Sequence, residues 1–132
     1  MNLTKKQVIN CLSGLNQIAK EKLPIGLSRQ IEIFRTFLEH KNEEIQNSIE
    51  EIKINLASRD ANGSLIFRKD LNGNDIIGAF TYDNPELANN QINNFLSENI
   101  ELEEMILNIG NFPNNILISA DTLRSLNGIL QL

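Results

Sequence analysis

The chain has no tryptophan, one cysteine, one histidine and three prolines in 132 residues, and aromatic side chains make up 5% of it. Each scarcity excludes something. With Cys11 alone, no internal disulfide can form. With His40 alone, no His-based metal cluster and no His–His pair exists. No apolar run is long enough for a membrane span, and the first residues lack the continuous apolar core of a signal peptide. No Gly-rich phosphate loop or dinucleotide fingerprint occurs. The expectation is a protein of a reducing cytoplasm, or one made there and assembled elsewhere, with no cofactor and no metal.

Positive charge is also in short supply. The net charge is −5, unevenly spread. Residues 1–41 carry seven basic against three acidic side chains, a net of +4, which leaves −9 for residues 42–132. Affinity for phosphate rests on clustered positive charge, so nucleic acid is not an expected partner. The basic first third, with Lys5, Lys6, Lys20, Lys22 and Arg29, keeps one local site for an anion or an acidic partner in view. The alternative for these residues is a solvated helix face.

What the chain does have is one long periodic stretch. Ile31, Leu38, Ile45 and Ile52 recur every seven residues, flanked by Leu27 and Phe34 and then by Ile49 and Leu56. That pattern predicts a single amphipathic helix over about 25–57, roughly 45 Å long, with coiled-coil-like packing. Before it, Thr4 and Gln7 form a capping box, and a first helix runs to about Lys22 along Val8, Cys11, Leu12, Leu15 and Ile18. Gly14 weakens that helix or admits a close neighbour. Pro24 bars continuation, so the two helices should form an antiparallel hairpin. The first helix covers only half of the second. The stripe Ile45, Ile49 and Ile52 therefore needs cover from the C-terminal region or from another copy of the chain.

Past Ala57 the pattern changes. Asp60-Ala61-Asn62-Gly63 and Asp70-Leu71-Asn72-Gly73 read as turns, and a β-hairpin is expected over about 64–82. Asn-Gly between apolar runs predicts a type I′ turn, in which both central residues have positive φ. Gly78 reads as a bulge. Asp83 or Asn84 caps a third helix at Pro85 that ends near Asn99, a brief strand follows at Ile100–Leu102, and Ser119 caps a last short helix. The fold class is α+β, mainly helical, in a single domain spanning 1–132: a helical hairpin with one long member, a β-hairpin and two short C-terminal helices.

Several chemistries can be weighed on the residues. Asp70, Asn72 and Asn74 stand at positions one, three and five of an EF-hand spacing, but Asp75 and Thr81 occupy the places that need Gly and Glu. The pairs Glu43–Glu44, Glu50–Glu51 and Glu103–Glu104 are neighbours in sequence, and adjacent helix residues point in different directions. No catalytic constellation emerges. Phe67, Phe80 and Tyr82 concentrate aromatic surface on the hairpin, and aromatics are enriched in interface cores. The alternative is that they pack the hairpin on the long helix.

Three stretches carry a family likeness: the opening helix from Asn2 to Leu15, the corner Lys22-Leu23-Pro24-Ile25-Gly26-Leu27-Ser28, and Ile118-Ser119-Ala120-Asp121-Thr122-Leu123. With the Asn-Gly hairpin and helix between them, the order of elements resembles an uncharacterised family of short proteins of tailed bacteriophages and prophages. The segment Gly78 to Tyr82 is more apolar here than in that pattern. The resemblance implies a phage origin, a helical hairpin fold and no catalytic residues. The expectation is a non-enzymatic protein of the host-cell cytoplasm that binds and modulates a host or defence protein. Ile45, Ile49 and Ile52 would form a helical interface, with a possible homo-oligomer, and Phe67, Phe80 and Tyr82 the hairpin surface. Two alternatives stand beside it: a structural or assembly component of the virion, and a sponge for a small nucleotide signal held by the basic residues. No membrane partner is expected.

Overall fold

Thr4 opens the first helix as the sequence predicts. Its Oγ1 accepts from the Gln7 amide at 3.1 Å, and the Gln7 side chain accepts from the Thr4 amide at 2.8 Å. The computed structural model describes residues 1–131. In chain order its elements are β1 (Asn2–Thr4), α1 (Lys5–Ile18), α2 (Ile25–Leu56), β2 (Phe67–Lys69), β3 (Asp75–Phe80), α3 (Pro85–Leu96), β4 (Asn99–Glu101), β5 (Leu107–Asn108), a 3-10 turn (Ile109–Asn111), α4 (Ala120–Ser125) and β6 (Leu130–Gln131). The class is mainly helical α+β. The chain gathers into two compact units, residues 1–45 with 96–132, and residues 46–95. No linker separates them, because α2 is continuous through residue 45.

In the first unit α1 stops at Ile18, four residues short of the expected end. The last apolar residue of its stripe is Ile18 itself. Lys20, Glu21 and Lys22 offer nothing to bury, and the chain tightens there as the Lys20 N–H donates to Gln17 O and the Glu21 N–H to Ile18 O. After the Pro24 corner comes α2, tied to α1 by a 2.9 Å hydrogen bond from Arg35 Nε to Asn16 Oδ1. Val8, Cys11, Leu12, Gly14, Leu15 and Ile18 are all buried, so α1 is covered on more than one side. The second cover is α4. Gly14 admits it: a Cβ on Gly14 would stand 2.9 Å from Leu126 Cγ.

β1 was not expected. Asn2–Thr4 pairs antiparallel with β4, Leu3 opposite Ile100, and Leu3 is buried. The amide of Leu102 extends the ladder to Met1 O at 2.8 Å. β5 pairs parallel with β6, Leu107 opposite Leu130. Leu27, Ile31, Leu38 and Ile45 of α2 are buried in this unit too, as are Leu102, Met105, Leu107, Phe112, Leu126 and Ile129.

The second unit is built around two copies of one turn. Asp60 and Asp70 each accept, on Oδ1, the amides two and four residues on: Asn62 and Ser64, Asn72 and Asn74, all at 2.9–3.0 Å. Gly63 and Gly73 donate to the Asp carbonyls at 3.0 and 3.1 Å and have φ of +80° and +81°. No described residue other than glycine has positive φ. The expected type I′ turn is therefore replaced by a three-residue loop, a type I turn followed by glycine in the left-handed region. The aspartate causes this. By capturing two amides it favours the conformation that points them inward.

Beyond the turn, Phe67 stands opposite Phe80 and Lys69 opposite Asp75, so two steps along β2 answer five along β3. The irregularity contains Gly78, with φ +88°, as the bulge reading anticipated. Three segments then close on one another. Ser58 N–H donates to Thr81 O (2.8 Å), Thr81 N–H to Ile66 O (3.2 Å), and Ile66 N–H to Ser58 O (3.0 Å). Ser58 is the buried polar residue of this ring, and its hydroxyl donates to Asp83 Oδ1 at 2.8 Å. Asp83 is thus engaged, and Asn84 caps α3, accepting from the Leu87 amide at 3.1 Å. α3 ends at Leu96 rather than near Asn99, because Asn99 enters β4.

Candidate functional site

Ile45 and Ile49 are 3% and 8% exposed, and Ile52 is half-buried. The chain itself covers the second half of the α2 stripe. This corrects the expectation that these residues offer a helical interface to another copy. The seven-residue period reported burial correctly but said nothing of what does the covering.

The aromatic residues of the hairpin are also largely spent inside it. Phe67 and Phe80, opposite each other in register, hold their rings 5.7 Å apart at 43°. A tilted pair at that distance contributes about 0.5–1.5 kcal/mol beyond its burial. Tyr82 is half-buried and forms a bridge with Ala57. Burial first, and then the charge of Glu50, push its phenol above the ordinary value, while Arg68 acts in the opposite direction. The phenol therefore stays protonated at neutral pH. The role of these three is to fix the hairpin rather than to supply its outer surface.

That outer surface is aliphatic. Leu71 is fully exposed, Ile77 is 79% exposed, and Ile66 and Ile76 are also exposed. Leu71 follows Asp70 at the first corner of the turn, the position that a three-residue loop drives into solvent. Ile76 and Ile77 fall in the irregular part of β3, where side chains leave the ladder register. Lys69 and Asp75 pair at 2.5 Å beside them and hold the base of the loop. Burying one such aliphatic side chain contributes about 1.5–3 kcal/mol. Two or three together reach the scale of an interface hot spot. Sequence reasoning weighted the aromatics and missed these residues. The available signal was the sequence Ile76-Ile77 itself: adjacent strand residues point to opposite faces, so one of the two must look outward.

The basic candidates are not brought together. Lys5 pairs with Glu98 at 2.6 Å, and Lys6 is exposed at the start of α1. Lys20 and Lys22 lie past the other end of α1, exposed. The pairs sit at opposite ends of the fourteen-residue α1, which is roughly 20 Å long. Arg29 is exposed in α2. The length of α1 thus stands between Lys5 and Lys6 at one end and Lys20 and Lys22 at the other, and Arg29 belongs to a different helix.

Among the described residues, no three His, Cys, Asp or Glu side chains stand close enough to hold a metal ion. Asp70 Oδ1, the first position of the EF-hand spacing, is occupied by two backbone amides. Among the described residues, no helix is long and apolar enough to cross a membrane. Cys11 is buried, its thiol directed to Asn127 O at 3.6 Å, and burial pushes its pKa up to about 11. No family model, no curated protein and no solved structure matches the chain.

Proposed function

We propose that this chain is a small phage-type protein that works by protein–protein contact, binding and modulating a host or defence protein in the host-cell cytoplasm. The observation that carries the contact reading is the exposed aliphatic side chains of the β2–β3 hairpin, with Leu71 fully exposed and Ile77 79% exposed. Water-exposed aliphatic side chains grouped on a firmly hydrogen-bonded hairpin gain most by being covered. The hairpin is already ordered by the Asp70 turn, so little conformational entropy is lost when it docks. The phage origin rests on the resemblance of the helix corner and the Ser119 cap.

The test is affinity capture of a tagged chain from infected cells, with the Leu71→Asp/Ile77→Asp variant in parallel. One host or defence protein should come down in near-equal amount with the native hairpin and be lost with the variant. Capture of capsid, portal or tail proteins would replace this reading with a role in virion assembly. Equal capture by both proteins would remove the hairpin from the interface.

A further inference from the structure

We draw no further inference here: the strongest candidate, the open apolar depression on α2 lined by Ile33, Thr36, Phe37 and His40, carries nothing because nothing in the structure shows what covers it.

Discussion

Gly14 and Leu126 meet where no side chain would fit between them: a Cβ on Gly14 would lie 2.9 Å from both Leu126 Cγ and Cδ2, and 3.2 Å from Ser125 Cβ. Leu126 is fully buried, so it cannot swing aside into solvent. Two effects oppose each other in Gly14→Ala. Helix propensity favours alanine by about 1 kcal/mol. Overpacking a filled contact costs about 1–3 kcal/mol. The clash should win, with a net loss near 1 kcal/mol and a fall in Tm of about 4 °C. Thermal unfolding followed by circular dichroism measures it. The pair Gly14→Ala/Leu126→Ala should lose less than the two single variants summed, because alanine at 126 opens the space. A Gly14→Ala protein as stable as the native one would mean that α4 is not seated on α1.

The two Asp-x-Asn-Gly turns separate the roles of their residues. Gly73 has φ +81°, where alanine is strained by about 1–2 kcal/mol. Asn72 has negative φ, and its role is carried by its amide, which any residue except proline supplies. Gly73→Ala should therefore destabilise the hairpin, while Asn72→Ala should stay within about 0.5 kcal/mol of native. Asp70→Ala strips two amides of their acceptor and should cost about 1 kcal/mol. Chemical denaturation of the three variants decides. A large loss for Asn72→Ala would restore the type I′ turn.

These turns also mark the limit of what could be read in advance. The Asn-Gly pair located both loops, but the aspartate two residues earlier selected the turn type. Signals confined to a few neighbouring residues transferred well: the Thr4–Gln7 box, the Pro24 corner, the Ser119 cap and the α2 stripe. Pairings between distant short segments did not. β1 has three residues and β6 two, too few for any periodicity, and each is held by a partner that sequence does not indicate. Aromatic content points to Phe67, Phe80 and Tyr82 as the hairpin surface, yet the two phenylalanine rings pack on each other while Leu71 and Ile77 stand exposed.

Cys11 should make stability fall in alkali. Its thiol has a folded pKa of about 11 against an ordinary value of 9.0, raised by burial. Below pH 9 both folded and unfolded chains keep the proton, and the group contributes no pH dependence. Between pH 9 and 11 the unfolded chain releases it and the folded chain does not, so stability declines as pH rises. The loss is on the order of 2 kcal/mol by pH 11. Cys11→Ala should be less stable at pH 8, because it leaves a small cavity, but its decline across this window should be shallower. Parallel slopes for the two proteins would show that the thiol titrates normally. A thiol reagent at pH 8 should also react with the unfolded chain far faster than with the folded one.

Ile49 and Ile33 lie on the same helix with opposite exposure, 8% against 61%. Ile49→Glu places a carboxylate in an apolar site and should cost more than about 3 kcal/mol. Ile33→Glu should change stability by less than about 0.5 kcal/mol. Melting curves and size-exclusion elution, run together, distinguish the two explanations of that burial. A lower Tm with unchanged elution is the expected result for Ile49→Glu. An unchanged Tm with a smaller species would show that a second copy of the chain covers Ile49.

Leu71→Asp and Ile77→Asp bear on function alone. Neither side chain is buried, and the Asp70 turn and the Phe67–Phe80 pair that hold the hairpin remain intact. The double variant should therefore fold as the native chain does, with Tm unchanged within about 2 °C. Its affinity for the captured partner should fall at least tenfold for each side chain that the complex buries, the equivalent of about 1.4 kcal/mol apiece. Titration calorimetry with the purified partner gives the number. Ile33→Asp is the matched control, an exposed isoleucine made acidic on α2 rather than on the hairpin, and it should bind as the native protein does. If Ile33→Asp weakens binding while the hairpin variant does not, the contact surface belongs on α2, and the aliphatic residues of β3 serve another purpose.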